Sequence, residues 1–325
     1  MPNTKTILVT GGAGFIGSHL IDRLLGRGNR VVCLDNFNDY YDPAVKRRNI
    51  AGYLNNRDFT LVEGDIRDGD LAAKLFSETA FDCVVHLAAR AGVRPSLEAP
   101  ALYYDVNVAG TVNLLQACAD ARVKKFVFIS SSSVYGNNEK VPFSESDPVD
   151  NPISPYAATK KAGELACYTY HHLYGIDAAC LRLFTVYGPR QRPEMAIHRF
   201  AALIDAGKPV PLFGDGTTSR DYTFVDDIID GLTAVIDREH GYEIYNLGDS
   251  NPVELRELLR LIEDALGKKA EIERMPMQPG DVERTYADIS KVQRAFGYTP
   301  KVSIEDGIAR FIRWFREKSP ARTEA

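Results

Sequence analysis

Thr10-Gly11-Gly12-Ala13-Gly14-Phe15-Ile16-Gly17 contains four glycines, and Gly11, Gly14 and Gly17 have the spacing G-x-x-G-x-x-G. The aliphatic run Ile7-Leu8-Val9 precedes it, and an amphipathic segment, 18–25, follows it. In a strand–turn–helix unit, such glycines permit a tight turn, a close approach of pyrophosphate to backbone, and close helix–strand packing. The helix N-terminus then offers free N–H groups and the positive end of its dipole to the phosphates. The segment therefore predicts a dinucleotide-binding turn; the alternative is a structural turn that binds no nucleotide.

An acidic residue follows the next apolar run. Arg30-Val31-Val32-Cys33-Leu34 reads as a second strand, and it ends at Asp35. A carboxylate at this position accepts hydrogen bonds from the adenosine ribose and repels a 2′-phosphate. We therefore expect the cofactor to be NAD rather than NADP.

Strand-like and helix-like segments alternate through the first half of the chain. The predicted strands are 5–10, 30–35, 59–63, 82–87, 125–130 and 178–183. The predicted helices are 15–27, 69–78, 99–121 and 155–174, and residues 36–58 are less regular. This alternation predicts an α/β fold, with a Rossmann-type doubly wound parallel sheet and ligands at the carboxyl ends of its strands.

The sequence pattern changes after Leu183, where prolines and glycines limit the predicted elements to shorter segments. Helices are predicted near 195–206, 226–237, 252–266 and 304–318. We expect an NAD-binding domain over 1–183 and a smaller α/β domain over 184–325 that binds the substrate and is partly interleaved with the first.

Composition excludes several classes of protein. The net charge of −5, with Lys46-Arg47-Arg48 as the one basic block, argues against nucleic-acid binding, and this block is predicted to be a solvated helix face. The five cysteines have no C-x-x-C spacing and are typical of small buried residues in a reducing compartment. The six histidines form no metal-spaced cluster, so we expect no metal. With neither a signal peptide nor an apolar run of about 18 residues, the expected location is the cytoplasm, without membrane contact.

A phenol and an ammonium are spaced for one face of a helix. Ser154 and Pro155 predict a helix start, and Tyr156 and Lys160 follow four residues apart. A nearby cation lowers the pKa of a phenol, so such a pair can form a general base near neutral pH. The spacing alone also occurs on many solvated helix faces.

The combined motifs resemble the extended short-chain dehydrogenase/reductase family of nucleotide-sugar epimerases and dehydratases. They are the glycine turn, Asp35, Asp65-Ile66, His86-Leu87-Ala88-Ala89, Ser-Ser-Val-Tyr-Gly at 132–136, and Tyr156-x-x-x-Lys160. The resemblance implies that the cofactor contacts Gly11, Gly14, Phe15, Ile16, Gly17, Asp35, Asn36, Asp65, Ile66, Leu87, Ala88, Ala89, Tyr156 and Lys160. The predicted helices 99–121 and 155–174 carry apolar residues that we expect to face outward, such as Leu114, Leu115, Leu165 and Tyr168. The resemblance implies that these helices form a two-fold dimer interface; the alternative is that they only bury one face on the sheet.

The residues before Val134 restrict the chemistry. By the family pattern, Ser131 bridges the substrate O4 and the tyrosine, while Ser132 and Ser133 face the sugar C5 substituent. Related 4,6-dehydratases have an Asp-Glu pair here, and related decarboxylases have Glu. This chain has serines instead, so the resemblance favours epimerisation. Ser130 is equally consistent with a polar strand end.

The resemblance also indicates how a UDP-sugar would bind. Backbone at Pro211 and Phe213 would hold the uracil, Arg220 the diphosphate, and Asp281 the uridine ribose. Galactose-type epimerases often have Arg three residues before that Asp, where this chain has Gln278. Arg90 and Arg192 are assigned to the substrate, the latter without a choice between carboxylate and diphosphate.

Three departures from the UDP-galactose epimerase pattern favour a uronate. They are Thr185, the Ser132-Ser133 pair, and the cations of 188–196; hydroxyls with an arginine suit a carboxylate. The segment Asp35-Asn36-Phe37-Asn38-Asp39-Tyr40-Tyr41-Asp42 also resembles UDP-glucuronate 4-epimerases. The alternatives are a UDP-glucose 4-epimerase, a UDP-glucuronate decarboxylase or nucleotide-sugar dehydratase, and a catalytically silent NAD-binding regulator.

Overall fold

A fully parallel sheet of seven strands forms the centre of the molecule. The structure is a computed structural model that describes residues 4–276 and 283–318. The strands of this sheet are β1 (Thr6–Thr10), β2 (Arg30–Asp35), β3 (Phe59–Glu63), β4 (Cys83–His86), β5 (Lys125–Ser131), β6 (Asp177–Leu183) and β10 (Tyr242–Leu247). Their spatial order is β10-β6-β5-β4-β1-β2-β3. The strand order reverses at β1, which lies between β2 and β4, and a ligand site is expected there.

Two smaller sheets lie in the second half of the chain. The first combines β7 (Thr185–Tyr187), β9 (Ser219–Phe224) and β11 (Pro252–Glu254), and the second combines β8 (Val210–Phe213) and β12 (Ile272–Met275). All the strands of these smaller sheets follow β6 in the chain. Strand β10 belongs to the main sheet, so the chain returns to that sheet after β9 and then adds β11 and β12 to the smaller sheets.

Helices cover the sheets. They are α1 (Phe15–Gly26), α2 (Pro43–Ile50), α3 (Gly69–Glu78), α4 (Val93–Glu98), α5 (Pro100–Tyr104), α6 (Gly110–Asp120), α7 (Pro155–Tyr174), α8 (Ala196–Asp205), α9 (Val225–Ile236), α10 (Leu255–Leu266), α11 (Ser290–Phe296) and α12 (Ile304–Lys318). One π-helical turn, Asp105–Ala109, joins α5 to α6. Within the described parts of the chain, none of these helices combines the length and apolar character that a membrane crossing needs.

Helix α7 is well delimited by its sequence. The Ser154 side chain accepts a hydrogen bond from Ala157 N–H at 3.1 Å, Pro155 is the first helical residue, and Gly175 ends the helix at φ +69°. Gly163 packs directly on β5, because a Cβ at this residue would lie 2.2 Å from a ring carbon of Phe128. The helix that carries Tyr156 and Lys160 is therefore fixed in both register and depth.

Three expectations about helices were wrong. Residues 43–50 form a helix, capped by Asp42, within the segment predicted to be irregular. The predicted helix 99–121 is interrupted by the π turn, and 252–254 is a strand rather than the start of a helix. Helix α2 is short and contains few apolar residues, so its periodicity is weak.

Three side chains that were predicted to be exposed are buried. Lys46 is 6 % exposed, so the basic block is not wholly a solvated face. Leu114 and Leu115 are fully buried, whereas Leu165 and Tyr168 are exposed as predicted. Because α6 packs between the sheet and its neighbouring helices, apolar residues on more than one of its faces are buried. All five cysteines are buried and free.

Candidate active site

The glycine turn has the geometry that its sequence predicted. Gly11 has φ +67°, and a Cβ there would lie 2.7 Å from Ala88 N. A Cβ on Gly17 would lie 2.4 Å from the carbonyl oxygen of Gly11, so α1 packs closely on the turn. Both glycines are required for this packing, since any side chain would separate the helix from the strand.

A cavity of about 470 Å³ opens beside this turn, at the carboxyl ends of the main-sheet strands. It gathers most of the predicted site residues: Gly11, Gly14, Phe15, Ile16, Gly17, Asp35, Asn36, Asp65, Ile66, Leu87, Ala88, Ala89, Arg90, Ser131, Ser132, Ser133, Tyr156, Lys160, Thr185 and Arg192. The continuous cavity fits the shape of a dinucleotide, the glycine turn suits its pyrophosphate, and the acid at the end of β2 suits its ribose hydroxyls.

The acidic side chains of the cavity are Asp35 and Asp65, among the residues described. Asp35 is 5 % exposed and accepts hydrogen bonds from Ala13 N–H and Phe37 N–H. Hydrogen bonds from the Arg67 side chain lower the pKa of Asp65 to about 2, and Asn36 donates to the same carboxylate. Both acids therefore lie on the β2–β3 side of the glycine turn.

Tyr156, Ser131 and Lys160 meet on the other side of the turn. Burial raises the pKa of Tyr156, while a hydrogen bond with Ser131 and the charge of Arg192 act in the opposite direction. Burial lowers the pKa of Lys160 to about 8. Its ammonium donates to the carbonyl oxygen of Ile129 at 2.7 Å and lies 6.0 Å from the centre of the Tyr156 ring. The two side chains share a site, and the groups that oppose the effect of burial on the pKa of Tyr156 are Ser131 and Arg192.

Hydroxyl groups line the cavity beyond Tyr156. Ser131 donates to Ser133 at 3.1 Å, and Ser132 and Thr185 complete this part of the wall. Ser130 also borders the cavity, but its hydroxyl donates to the buried Glu164 at 2.7 Å. Ser130 is therefore part of the buried polar interior.

The arginines of the predicted site have different surroundings. Arg90 and Arg192 line the cavity, and their guanidinium carbons lie 5.8 and 5.7 Å from the centre of the Tyr40 ring. Arg192 also pairs with Glu194 at 3.0 Å. Arg190, two residues earlier, instead forms an ion pair with Asp22 of α1 at 2.8 Å. Of the cations in this segment, Arg192 is the one that reaches the cavity.

The predicted nucleotide end lies beside the cavity. Pro211 and Phe213 are on β8 and Arg220 is on β9, and these three do not line the cavity formed by the described residues. Arg94, which follows the cavity residue Val93, has its guanidinium carbon 4.8 Å from the centre of the Phe213 ring. Asp281 and Gln278 fall outside the described residues.

Sequence reasoning missed part of the cavity wall. Tyr40, Tyr41 and Lys46 line it, and Lys46 is directed at Asp35, with 3.6 Å between Nζ and Oδ1. The available signal was the spacing of Asp and Asn side chains two residues apart over 35–42, which is typical of a compact, self-bonded turn.

A buried polar network behind the cavity was also missed. His86 lies between the hydroxyls of Thr10 and Thr111, at 2.7 and 3.0 Å, and burial lowers its pKa to about 3. Asn107, in the π turn, accepts from the Arg90 N–H and donates to the Arg90 carbonyl oxygen and to Thr159. The network fixes the backbone of 88–90 against the helix that carries Tyr156.

The chain matches known proteins over nearly its whole length. The family model described as GDP-mannose 4,6 dehydratase matches residues 8–311. A UDP-glucuronate 4-epimerase from Thermodesulfobacterium geofontis is 45 % identical over 311 residues, which is 95 % of this chain and 96 % of the relative.

Two solved structures are similar to the whole chain. The UDP-glucuronic acid 4-epimerase from Bacillus cereus, in complex with UDP-glucuronic acid and NAD, has a TM-score of 0.90 and 38 % identity, covering 97 % of this chain and 100 % of that one. The UDP-glucose 4-epimerase from Thermotoga maritima, with UDP-glucose, has a TM-score of 0.89 and 34 % identity, covering 96 % and 99 %. The chain therefore belongs to the extended short-chain dehydrogenase/reductase family, within the group that the GDP-mannose 4,6 dehydratase model describes.

Proposed function

We propose that this protein is an NAD-dependent UDP-glucuronate 4-epimerase, which interconverts UDP-glucuronate and UDP-galacturonate through a 4-keto intermediate. One observation carries this choice of chemistry: the sugar end of the cavity presents hydroxyls, and the described acids of the cavity lie on the β2–β3 side. Elimination of water would need a further acid and base at the sugar. The similarity to UDP-glucuronate 4-epimerases over most of the chain supports the same conclusion.

Tyr156 is proposed as the base that removes the proton of the C4 hydroxyl. The hydrogen bond with Ser131 and the charge of Arg192 already oppose the effect of burial on its pKa. Ser131 would hold the C4 oxygen and relay its proton to Tyr156. Lys160 supplies a nearby positive charge, held in position by the carbonyl oxygen of Ile129. NAD, when bound, supplies a reversible acceptor for the hydrogen on C4.

The other assignments are proposed on the same basis. Residues 1–183 would bind the dinucleotide and 184–325 the nucleotide sugar, with β10 contributed back to the main sheet. Arg90, Ser132, Ser133, Thr185 and Arg192 would contact the sugar and its charged groups; Pro211, Phe213, Arg220 and Asp281 would contact the uridine diphosphate.

We also propose a cytoplasmic homodimer. Exposed apolar residues support a protein–protein surface on α7, where Leu165 and Tyr168 are 56 % and 51 % exposed. Large exposed side chains of this kind on one helix are more typical of an interface than of a solvated face.

Incubation with UDP-glucuronate, without added NAD, tests the function. Formation of UDP-galacturonate is the expected result, and it would also show that NAD is retained from expression. UDP-glucose is the parallel substrate: faster conversion of UDP-glucose would support the UDP-glucose 4-epimerase alternative. Formation of a UDP-pentose as the main product would instead indicate a decarboxylase.

A further inference from the structure

The segment 36–42, which we call the strap, is held in a fixed shape by its own side chains. Asp35 Oδ1 accepts from Phe37 N–H at 2.9 Å. Asn36 Oδ1 accepts from Asn38 N–H, and Asn38 Oδ1 accepts from Tyr40 N–H, both at 3.1 Å. Each bond spans two residues, so the strap consists of consecutive side-chain-to-backbone turns.

The base of the strap is anchored in the core. Phe37 is buried and has φ +46°, a conformation that is costly for a residue with a side chain. The guanidinium carbon of Arg47 lies 4.2 Å from the centre of its ring, and Lys46 lies behind the strap between Asp35 and the Tyr41 ring. These contacts compensate for the strained backbone and hold the strap over the cavity.

The tip of the strap contacts the opposite side of the cavity. The ring of Tyr40 interacts with the guanidinium groups of Arg90 and Arg192, at 5.8 and 5.7 Å. Gly92 permits the close approach of this tip, because it has φ +98° and a Cβ there would lie 2.8 Å from the Tyr40 hydroxyl oxygen. The contact with two cations is worth more than a single exposed pair.

The path of the strap determines what it covers. It begins at the end of β2, whereas Arg90 follows β4, and β1 with its glycine turn lies between these two strands. A dinucleotide that extends from Asp35 to Tyr156 crosses β1, the strand that the contact between Tyr40 and Arg90 also spans. Where the contact closes over the dinucleotide, release requires the contact to break or the strap to deform.

We propose that the strap retains the dinucleotide between turnovers and that Tyr40 acts as its latch through Arg90 and Arg192. This inference rests on the proposed function. A redox-neutral epimerase loses activity whenever the cofactor leaves in its reduced form, so slow release preserves the cycle. Tyr40 would thus be a positioning residue, and the role of the strap would be to retain the cofactor.

The dissociation rate of NAD from the purified holoenzyme tests the proposal. Released NAD is converted to NADH by an excess of alcohol dehydrogenase and ethanol, and its fluorescence is followed over time. Tyr40→Leu retains apolar volume but removes the aromatic ring, and we expect NAD to dissociate at least about tenfold faster. Tyr40→Phe is the matched control, because it retains the ring, and its rate should stay within about threefold of the wild type.

A second variant separates the latch from a general loss of packing. Arg90→Met removes one of the two cations that contact Tyr40. In the otherwise wild-type protein it should accelerate the dissociation of NAD, but in the Tyr40→Leu variant it should have little further effect. Release from Tyr40→Leu at the wild-type rate, or additive effects of the two substitutions, would overturn the proposal. A wild-type protein that contains and binds no NAD would contradict the proposed function itself, which is a different result.

Discussion

Glu164 and Arg182 form a two-point ion pair in the interior, with hydrogen bonds of 2.8 and 2.9 Å. Arg182 is 1 % exposed and Glu164 is fully buried. Glu164 also accepts from Ser130, which precedes Ser131, and it lies one helical turn after Lys160. The pair therefore joins β5, β6 and α7 directly behind the proposed catalytic groups.

Glu164→Gln should destabilise the protein by about 3–5 kcal/mol, because it leaves a buried guanidinium without its countercharge. Urea unfolding measures the effect. Glu257→Gln is the control, since Glu257 pairs with Arg260 on the surface and its loss should cost less than about 1 kcal/mol. Equal losses of unfolding free energy in the two variants would show that the buried ion pair stabilises the protein no more than the surface pair.

Tyr156→Phe should reduce turnover of UDP-glucuronate by at least about 1,000-fold, since it removes the only group that we propose as the base. The content of bound NAD should stay near that of the wild type, because the ring and the helix that carries it are unchanged. Both quantities are measured on the same preparation, by product formation and by release of NAD on denaturation. Substantial residual turnover with NAD retained would contradict the proposed role.

Lys160→Met should stabilise the fold while impairing catalysis. Burial lowers the pKa of Lys160 from 10.5 to about 8, so between these values the unfolded chain binds more protons than the folded one and stability rises with pH. Below pH 8 the buried ammonium is charged and destabilises the folded protein by about 3 kcal/mol, which corresponds to a pKa difference of this size. Lys160→Met also removes the hydrogen bond to the carbonyl oxygen of Ile129, which reduces the gain in stability by about 1 kcal/mol.

The net gain from Lys160→Met is therefore about 2 kcal/mol at pH 7, and it should disappear as the pH approaches 10.5. Denaturant unfolding at both pH values measures it. Turnover should fall at least about 100-fold, since the charge beside Tyr156 is lost. A variant that is less stable at pH 7 would show that the ammonium is well solvated by its surroundings.

The central sheet was predictable because buried parallel strands are continuous apolar runs. The predicted strand 59–63 has the observed bounds, and 178–183 differs from the observed strand by one residue. Tyr156 and Lys160 were placed in one site because their helix carries clear start signals at Ser154 and Pro155.

The remaining features depend on contacts between distant segments. Lys46 is buried only because Asp35 and Tyr41 lie against it, and a basic triplet gives no sign of that. Leu114 and Leu115 are both internal because α6 is covered on several sides. The pKa values of Tyr156 and Lys160 follow from the depth of the site, which the spacing of the two residues does not determine.

Thr185→Ala combined with Ser132→Ala should increase a UDP-pentose by-product. The proposed 4-keto intermediate is a β-keto acid, which loses CO₂ when the bond to its carboxylate is perpendicular to the carbonyl plane. Hydroxyls at this end of the cavity would hold the carboxylate away from that geometry. The ratio of UDP-pentose to UDP-galacturonate, measured by chromatography, should rise severalfold. Ser130→Ala is the control, since its hydroxyl is engaged by Glu164, and an unchanged ratio in the double variant would refute the carboxylate contact.

Leu165→Lys combined with Tyr168→Lys should convert the proposed homodimer to a monomer. Both side chains are more than half exposed on α7, and two like charges would meet their counterparts across a two-fold interface. Sedimentation velocity measures the mass of each variant in solution. Leu54→Lys is the matched control, because Leu54 is 55 % exposed but lies outside this helix. A dimer that withstands the α7 substitutions would place its interface elsewhere, and a wild-type monomer would contradict the homodimer altogether.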